Sequence, residues 1–155
     1  VAREIPDHDL VIVGDGSQRR LLQGTAKRSG LSERVHLLGW RNDVPQLLAT
    51  ADMLLLSSAW EGMPGVVLEA MAAGRPVVAT NAEGVAELLG PHAEEQAVPM
   101  SDAVGYAKRI VPLAQHSAEA RRLGQQNQER ARGEFSLEKM VERYGGLYER
   151  LIAVR

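Results

Sequence analysis

Short apolar runs recur along the first hundred residues: LVIV at residues 10–13, VHLLG at 35–39, MLLLSS at 53–58 and PVVAT at 76–80. Runs without polar alternation suit strands covered on both faces, which is the pattern of a parallel sheet. LVIV and the central LLL of the third run are expected to be covered in this way. The intervening segments read as helices. Residues 17–29 form one, closed by Gly30, and residues 44–50 form a second, with Asp43 as cap and Pro45 in the first turn. Residues 65–73 form a third, closed by Gly74, and a short helix follows Gly84. QAVPM at 96–100 supplies a small fifth strand. From Ser101 the chain reads as helical to about Ala153, broken at Pro112, at His116-Ser117 and at residues 133–136. In the last segment Leu137, Met140, Val141, Tyr144, Leu147, Tyr148 and Leu151 share one face, expected to pack on the core. Alternating strands and helices predict an α/β fold, a Rossmann-like doubly wound parallel sheet with a helical C-terminal tail. Ligands on such sheets bind at the carboxyl ends of the strands, so the loops after Val13, Leu38, Leu56 and Ala79 are the places to look.

Composition narrows the chemistry. The 155 residues are 45% apolar and 25% charged, as in an ordinary globular domain. A net charge of −2 gives no electrostatic case for nucleic acid or an anionic membrane. Cysteine is absent, which removes disulfides and thiolate metal sites. No apolar run approaches the length of a membrane span, and no signal peptide is visible. His8, His36, His92 and His116 lack metal-ligand spacing, and no metal or other cofactor is expected. The Arg- and Gln-rich stretch at 121–134 reads as a solvated helix.

The stretch SSAWEGMPGVVLEAMAAGRPVVAT, residues 57–80, places Glu61 and Glu69 around a Gly-Pro-Gly turn that opens an apolar helix. The amino end of that helix offers free N–H groups and a partial positive charge, an anion site without a basic side chain. Gly62 and Gly65 allow a ligand close to the backbone. The glutamates cannot hold the anion, because like charges repel. Carboxylates instead accept from paired hydroxyls. A diphosphate between two hydroxylated rings, that is a nucleotide-sugar, satisfies every element. The alternative leaves Glu61 solvated in its loop and Glu69 on the helix surface.

EGMPGVVLEAMAAGRPVVAT resembles the E-x7-E motif of the retaining family-four glycosyltransferases (glycosyl transferases group 1), which have the GT-B fold. LVIVGDG, VHLLGWRNDVPQLLATADMLLLSS and FSLEKMVERYGGLYERLI resemble the same family's C-terminal donor-binding domain, collinearly over nearly the whole chain. The resemblance implies that Glu61 contacts hydroxyls of the donor sugar and is the catalytic-site glutamate. It implies that Glu69 binds the ribose diol, and that the backbone of Gly62, Met63, Pro64, Gly65 and Val66 approaches sugar and phosphates. Trp40 and Arg41 would hold the base, and Gly14 and Gly16 would turn the chain at the cleft. From the residues alone, Trp40 is either a stacking surface or core or interdomain packing, and Gly14 and Gly16 are either ligand contacts or a simple turn.

Glu83-Gly84 departs from the family's usual glycine pair, and Gly65 replaces an asparagine. The resemblance also places an Arg and Lys that pair with the diphosphate on a strand–loop–helix unit not contained in these residues, and the acceptor domain is likewise absent. The expected organisation is therefore a single nucleotide-sugar-binding domain over residues 1–155, with the sheet at 1–100 and the helical tail at 101–155, as a fragment of a longer enzyme. The intact enzyme would transfer a sugar from a nucleoside diphosphate donor, such as a UDP- or GDP-sugar, to an acceptor hydroxyl with retention, in polysaccharide or glycolipid synthesis. The acceptor, a sugar or a lipid-linked sugar, would bind the absent domain. The implied location is cytoplasmic, peripheral at the inner membrane face. The resemblance has the terminal helix cross to the other lobe, which would orphan part of its apolar face, and the strand not contained here would leave a sheet edge uncovered. The fragment itself would be inactive, and marginally stable or prone to self-association. The alternatives are a non-catalytic nucleotide-sugar-binding fragment and a GT-B nucleotide-sugar epimerase.

Overall fold

A computed structural model describes residues 1–153, so Val154 and Arg155 of the expected tail lie outside the described residues. The element order is β1 (Leu10–Val13), α1 (Arg19–Arg28), β2 (Val35–Gly39), α2 (Val44–Thr50), β3 (Leu54–Leu56), α3 (Gly65–Ala72), β4 (Val77–Thr80), α4 (Val85–Leu89), α5 (Ala93–Gln96), β5 (Ala97–Val98), α6 (Ala103–Gln115), α7 (Ser117–Glu134) and α8 (Leu137–Ala153). All strand pairs are parallel. They form two hydrogen-bonded sheets, β1-β2 and β3-β4-β5. In the common doubly wound order 3-2-1-4-5-6, the pair fits positions 3-2 and the trio positions 4-5-6.

The division corrects two expectations. β1 was expected to be covered on both faces, yet Leu10, Val11 and Val13 are exposed, Val11 by 48%. Among the described residues β1 pairs only with β2, so its second edge has no strand partner. β3 was expected to be central, yet it is an edge strand and half-buried throughout. The fully covered strand is β4, flanked by β3 and β5.

Period-2 alternation sorts the trio's side chains into two layers. Val77 and Ala79 of β4, with Leu54 and Leu56 of β3, meet Leu48, Val67, Ala70, Met71, Val85 and Leu89 on one face. Val78 and Leu55 meet Ile5, Ile110, Leu113 and Leu123 on the other. Residues 1–9 attach the β1-β2 pair to this body. Ile5 enters the second layer, and Gln115 donates to the Glu4 carbonyl at 2.9 Å. Arg34, just before β2, gathers the carbonyls of Ala2, Ile5 and His8.

The α3–α7 contact is unusually close. An added Cβ at Gly124 would stand 2.1 Å from the Gly74 carbonyl oxygen. Beneath it lies a fully buried amide pair. The Gln96 side chain accepts from the Val77 N–H at 2.8 Å and donates to Asn127 Oδ1 at 2.9 Å. Asn127 Nδ2 donates to the Arg75 carbonyl at 2.9 Å and to Gln96 Oε1 at 2.8 Å. The stretch read as a solvated helix therefore buries one of its polar residues completely.

Two tail expectations also change. Pro112 sits inside α6 without breaking it. It lies in the last turn, where the helix ends at Gln115 and the Pro112 carbonyl still accepts from His116 N–H at 2.8 Å. The apolar face of α8 does not pack on the core: Leu137, Met140, Val141, Tyr144, Leu147, Tyr148 and Leu151 are all exposed. The corner at Phe135-Ser136 carries α8 away from the sheet layers, and none of its residues is buried.

Candidate functional site

The loop of residues 57–64, between β3 and α3, is fastened at two points. Thr80 Oγ1, at the end of β4, donates to the Ser58 carbonyl at 2.5 Å. Further along, the loop presses on Gly84, whose φ of +80° is left-handed. A Cβ on Gly84 would stand 3.0 Å from Pro64 Cδ and 3.6 Å from the Gly62 carbonyl oxygen. Space and backbone both require glycine there, so of the divergent Glu83-Gly84 pair the glycine holds the loop while Glu83 faces solvent.

The amino end of α3 is partly satisfied from within. Gly65 N–H donates to the Met63 carbonyl at 2.8 Å, and Val67 N–H to the Pro64 carbonyl at 2.9 Å. Val66 N–H finds no acceptor among the described residues. The expected anion site is thus narrower than a fully open helix end: one free N–H and the local dipole. Cβ atoms added at Gly62 or Gly65 would meet nothing within 4 Å, so both backbones face open space.

Glu61 is half-buried in the loop, and Glu69 is exposed on the second turn of α3, at the helix surface. Neither makes a hydrogen bond or ion pair among the described residues, so both carboxylates keep their full accepting capacity. Glu69 and Gly65 line a cavity of about 460 Å³, whose far wall is Arg132, Phe135 and Ser136 at the α7–α8 corner. Glu61 does not line it. The sequence reading missed Arg132, Phe135 and Ser136. Local spacing gave no signal for them, because only the close α3–α7 packing brings them beside Glu69. Phe135-Ser136 had been marked as a break between helices, the one hint that the chain turns there.

The loops after β1 and β2 are bound to each other. Gly14, at φ +118°, donates its N–H to the Gly39 carbonyl at 2.7 Å. Arg19, the first residue of α1, donates to the Leu37 carbonyl at 2.9 Å and lies 3.7 Å from the Asp15 carboxylate. Gly14 and Gly16 face open space. Trp40 projects from this edge, 76% exposed, so it does not pack in the core of this domain and its indole face is accessible. Arg41 is engaged: its Nε donates to Asp43 Oδ1 at 2.7 Å, which raises the guanidinium pKa and holds the Asp43 carboxyl below the usual carboxylate range. Asp43 therefore sits at the N-cap position of α2 without a side-chain cap bond. Its carboxylate is taken by a cation two residues earlier, a stronger partner than a helix N–H. Trp60, beside Glu61, is 84% exposed and was not singled out.

The structure brings Gly65 and Glu69 to one cavity. It fastens the Gly14 loop to the Trp40 loop, and places Glu61, Gly62 and Met63 on the loop after β3. Among the described residues no group of His, Asp or Glu is arranged to hold a metal ion. No described helix is long and apolar enough to cross a membrane.

Comparison with known proteins bears on the family and the fold. The sequence pattern of the family described as glycosyl transferases group 1 matches residues 1–116. The lipopolysaccharide core biosynthesis glycosyltransferase LpsE of Rhizobium meliloti is 34% identical over 93% of this chain and 42% of its own length. Among solved structures, the sucrose-phosphate synthase of Thermosynechococcus elongatus superposes with a TM-score of 0.83 at 29% identity, over 98% of this chain and 40% of that one. Anabaena HepE in complex with UDP superposes at 0.85 and 26% identity, over 94% and 42%. The same protein in complex with UDP-glucose superposes at 0.80 and 28% identity, over 94% and 42%. The fold is that of the C-terminal half of a GT-B glycosyltransferase. The chain spans less than half the length of these relatives.

Proposed function

The chain belongs to the glycosyl transferases group 1 family, and from that membership we propose that it is the nucleotide-sugar-binding half of a glycosyltransferase that retains anomeric configuration. The observation that carries the reading is the Glu61/Glu69 pair, two carboxylates without protein partners flanking a glycine-lined turn at the carboxyl end of β3. Anabaena HepE, of similar fold, is known in complex with UDP and with UDP-glucose, which supports a uridine diphosphate donor.

In this reading Glu69 accepts from the ribose diol and Glu61 from hydroxyls of the transferred sugar. The backbone of Gly62, Met63, Pro64, Gly65 and Val66 lines the path of the diphosphate, with Val66 N–H and the α3 dipole stabilising the charge that grows on the leaving group. Trp40 stacks on the base. Arg41 contributes through its main chain, since its side chain is bound to Asp43. Gly14 and Gly16 leave room at the cleft floor. No step calls for a metal. The acceptor, a sugar or lipid-linked sugar, binds a further domain of the longer protein, and a strand of that protein completes the sheet between β1 and β3. The 155 residues alone bind donor without turning it over.

Calorimetric titration with UDP and GDP tests the nucleotide site. Glu69→Ala should weaken UDP binding about ten-fold, the loss of one charge-assisted hydrogen-bond pair. Glu61→Ala should leave UDP affinity intact and lower sugar transfer in the longer enzyme. Equal, negligible effects of both changes would refute the assignment, and transfer abolished by a chelator would refute the metal-free step.

A further inference from the structure

The loop of residues 57–64 is fixed on both sides of its apex. Ser58 is held by Thr80, and Gly62 and Pro64 rest against Gly84. Trp60 stands between these anchors, the most exposed large apolar side chain among the described residues, at 84%. The indole stands in water one residue before Glu61, whose carboxylate has no partner among the described residues. Exposed aromatic surface of that kind marks a binding site. The chemistry of the pair is specific. An indole face suits the apolar C–H face of a pyranose ring, and a carboxylate suits its hydroxyl edge.

We propose that Trp60 is a stacking platform for a pyranose ring, working with Glu61 as a saccharide subsite distinct from the nucleotide contacts of Glu69 and Trp40. The inference rests on the donor-binding reading and adds a residue and a ligand class to it. The ring comes either from the donor's glycosyl group or from the acceptor glycan, and the chemistry of the platform is the same for both.

Tryptophan occurs only at positions 40 and 60, so fluorine-labelled tryptophan gives two resonances, and Trp60→Phe identifies the second. UDP alone should move the Trp40 resonance. A Trp60 shift with UDP-glucose beyond that with UDP assigns the ring to the donor. A Trp60 shift with methyl α-glucoside, alone or with UDP present, assigns it to the acceptor. Trp60→Ala should weaken the responding sugar about three- to ten-fold while leaving UDP affinity unchanged, and Trp60→Phe should keep most of the binding. A Trp60 resonance unmoved by both sugars overturns the platform, whatever UDP does. Failure of the nucleotide reading shows separately, as no heat with UDP and no movement of Trp40.

Discussion

Replacing Asn127 with alanine removes three hydrogen bonds from a fully buried site. The Gln96 side-chain amide loses its acceptor, and the Arg75 carbonyl loses its donor. Each buried group left unsatisfied costs about 1–3 kcal/mol, and the missing side-chain volume adds to this. The sum is about 3–5 kcal/mol, against about 5–15 kcal/mol for a whole domain. For a chain of this size that lowers Tm by roughly 10 °C or more. Asn127→Asp keeps the volume but turns an acceptor toward the Arg75 carbonyl and Gln96 Oε1. It should destabilise at least as much at neutral pH and recover in part on acidification, when the new carboxyl gains a proton to donate. Urea unfolding followed by circular dichroism, at neutral and acidic pH, measures both. A loss below about 1 kcal/mol for the alanine variant, or an aspartate variant as stable as the parent, would refute the buried amide pair as a stabilising element.

Other consequences are equally direct. Gly124→Ala would normally strengthen a helix by about 1 kcal/mol, but here the new Cβ meets the Gly74 carbonyl oxygen, so thermal unfolding should show a Tm several degrees lower; a raised Tm would contradict the close α3–α7 contact. The exposed apolar face of α8 should drive concentration-dependent self-association of the 155-residue chain in light scattering, relieved by Tyr144→Glu or Leu147→Glu; a parent that stays monomeric at all concentrations would contradict it. Burial pushes the Tyr106 hydroxyl, which donates to the Val78 carbonyl at 2.8 Å, up to about 12 from an ordinary value of 10.0. The unfolded chain therefore gives up this proton first, so the contribution of Tyr106 is complete below pH 10 and is lost as pH rises toward 12; Tyr106→Phe should flatten that decline in alkaline unfolding curves.

Much of the fold was legible because local signals and tertiary demands agree. LVIV and VHLLG became strands over the residues read from their apolar runs, and Gly74, at φ +70°, ends α3 where a glycine stop was expected. What was not legible depends on neighbours distant in sequence. An apolar run does not say whether a strand lies on its far edge, so β1 looked covered and is not. Asp43 reads as a cap until Arg41 competes for its carboxylate. Pro112 reads as a break unless it falls in a last turn. Asn127 looks solvated in a polar stretch because its partner, Gln96, is 31 residues away. The site divides in the same manner. The spacing of Glu61 and Glu69 and the turn glycines were readable, whereas the opposite wall of the Glu69 cavity and the outward pose of Trp60 follow from packing alone.

The division of the sheet gives a bound donor a mechanical role. The loops that carry Gly14 and Trp40 ride on the β1-β2 pair, and the loop and helix that carry Glu61 and Glu69 ride on the β3-β4-β5 trio. Among the described residues no strand ladder joins the two bodies, and residues 1–9 link them. A molecule gripped at both ends is then a cross-link between them. If the proposed donor site holds, the donor's binding energy would add to the cohesion of the 155-residue chain, growing with the logarithm of its concentration over its Kd.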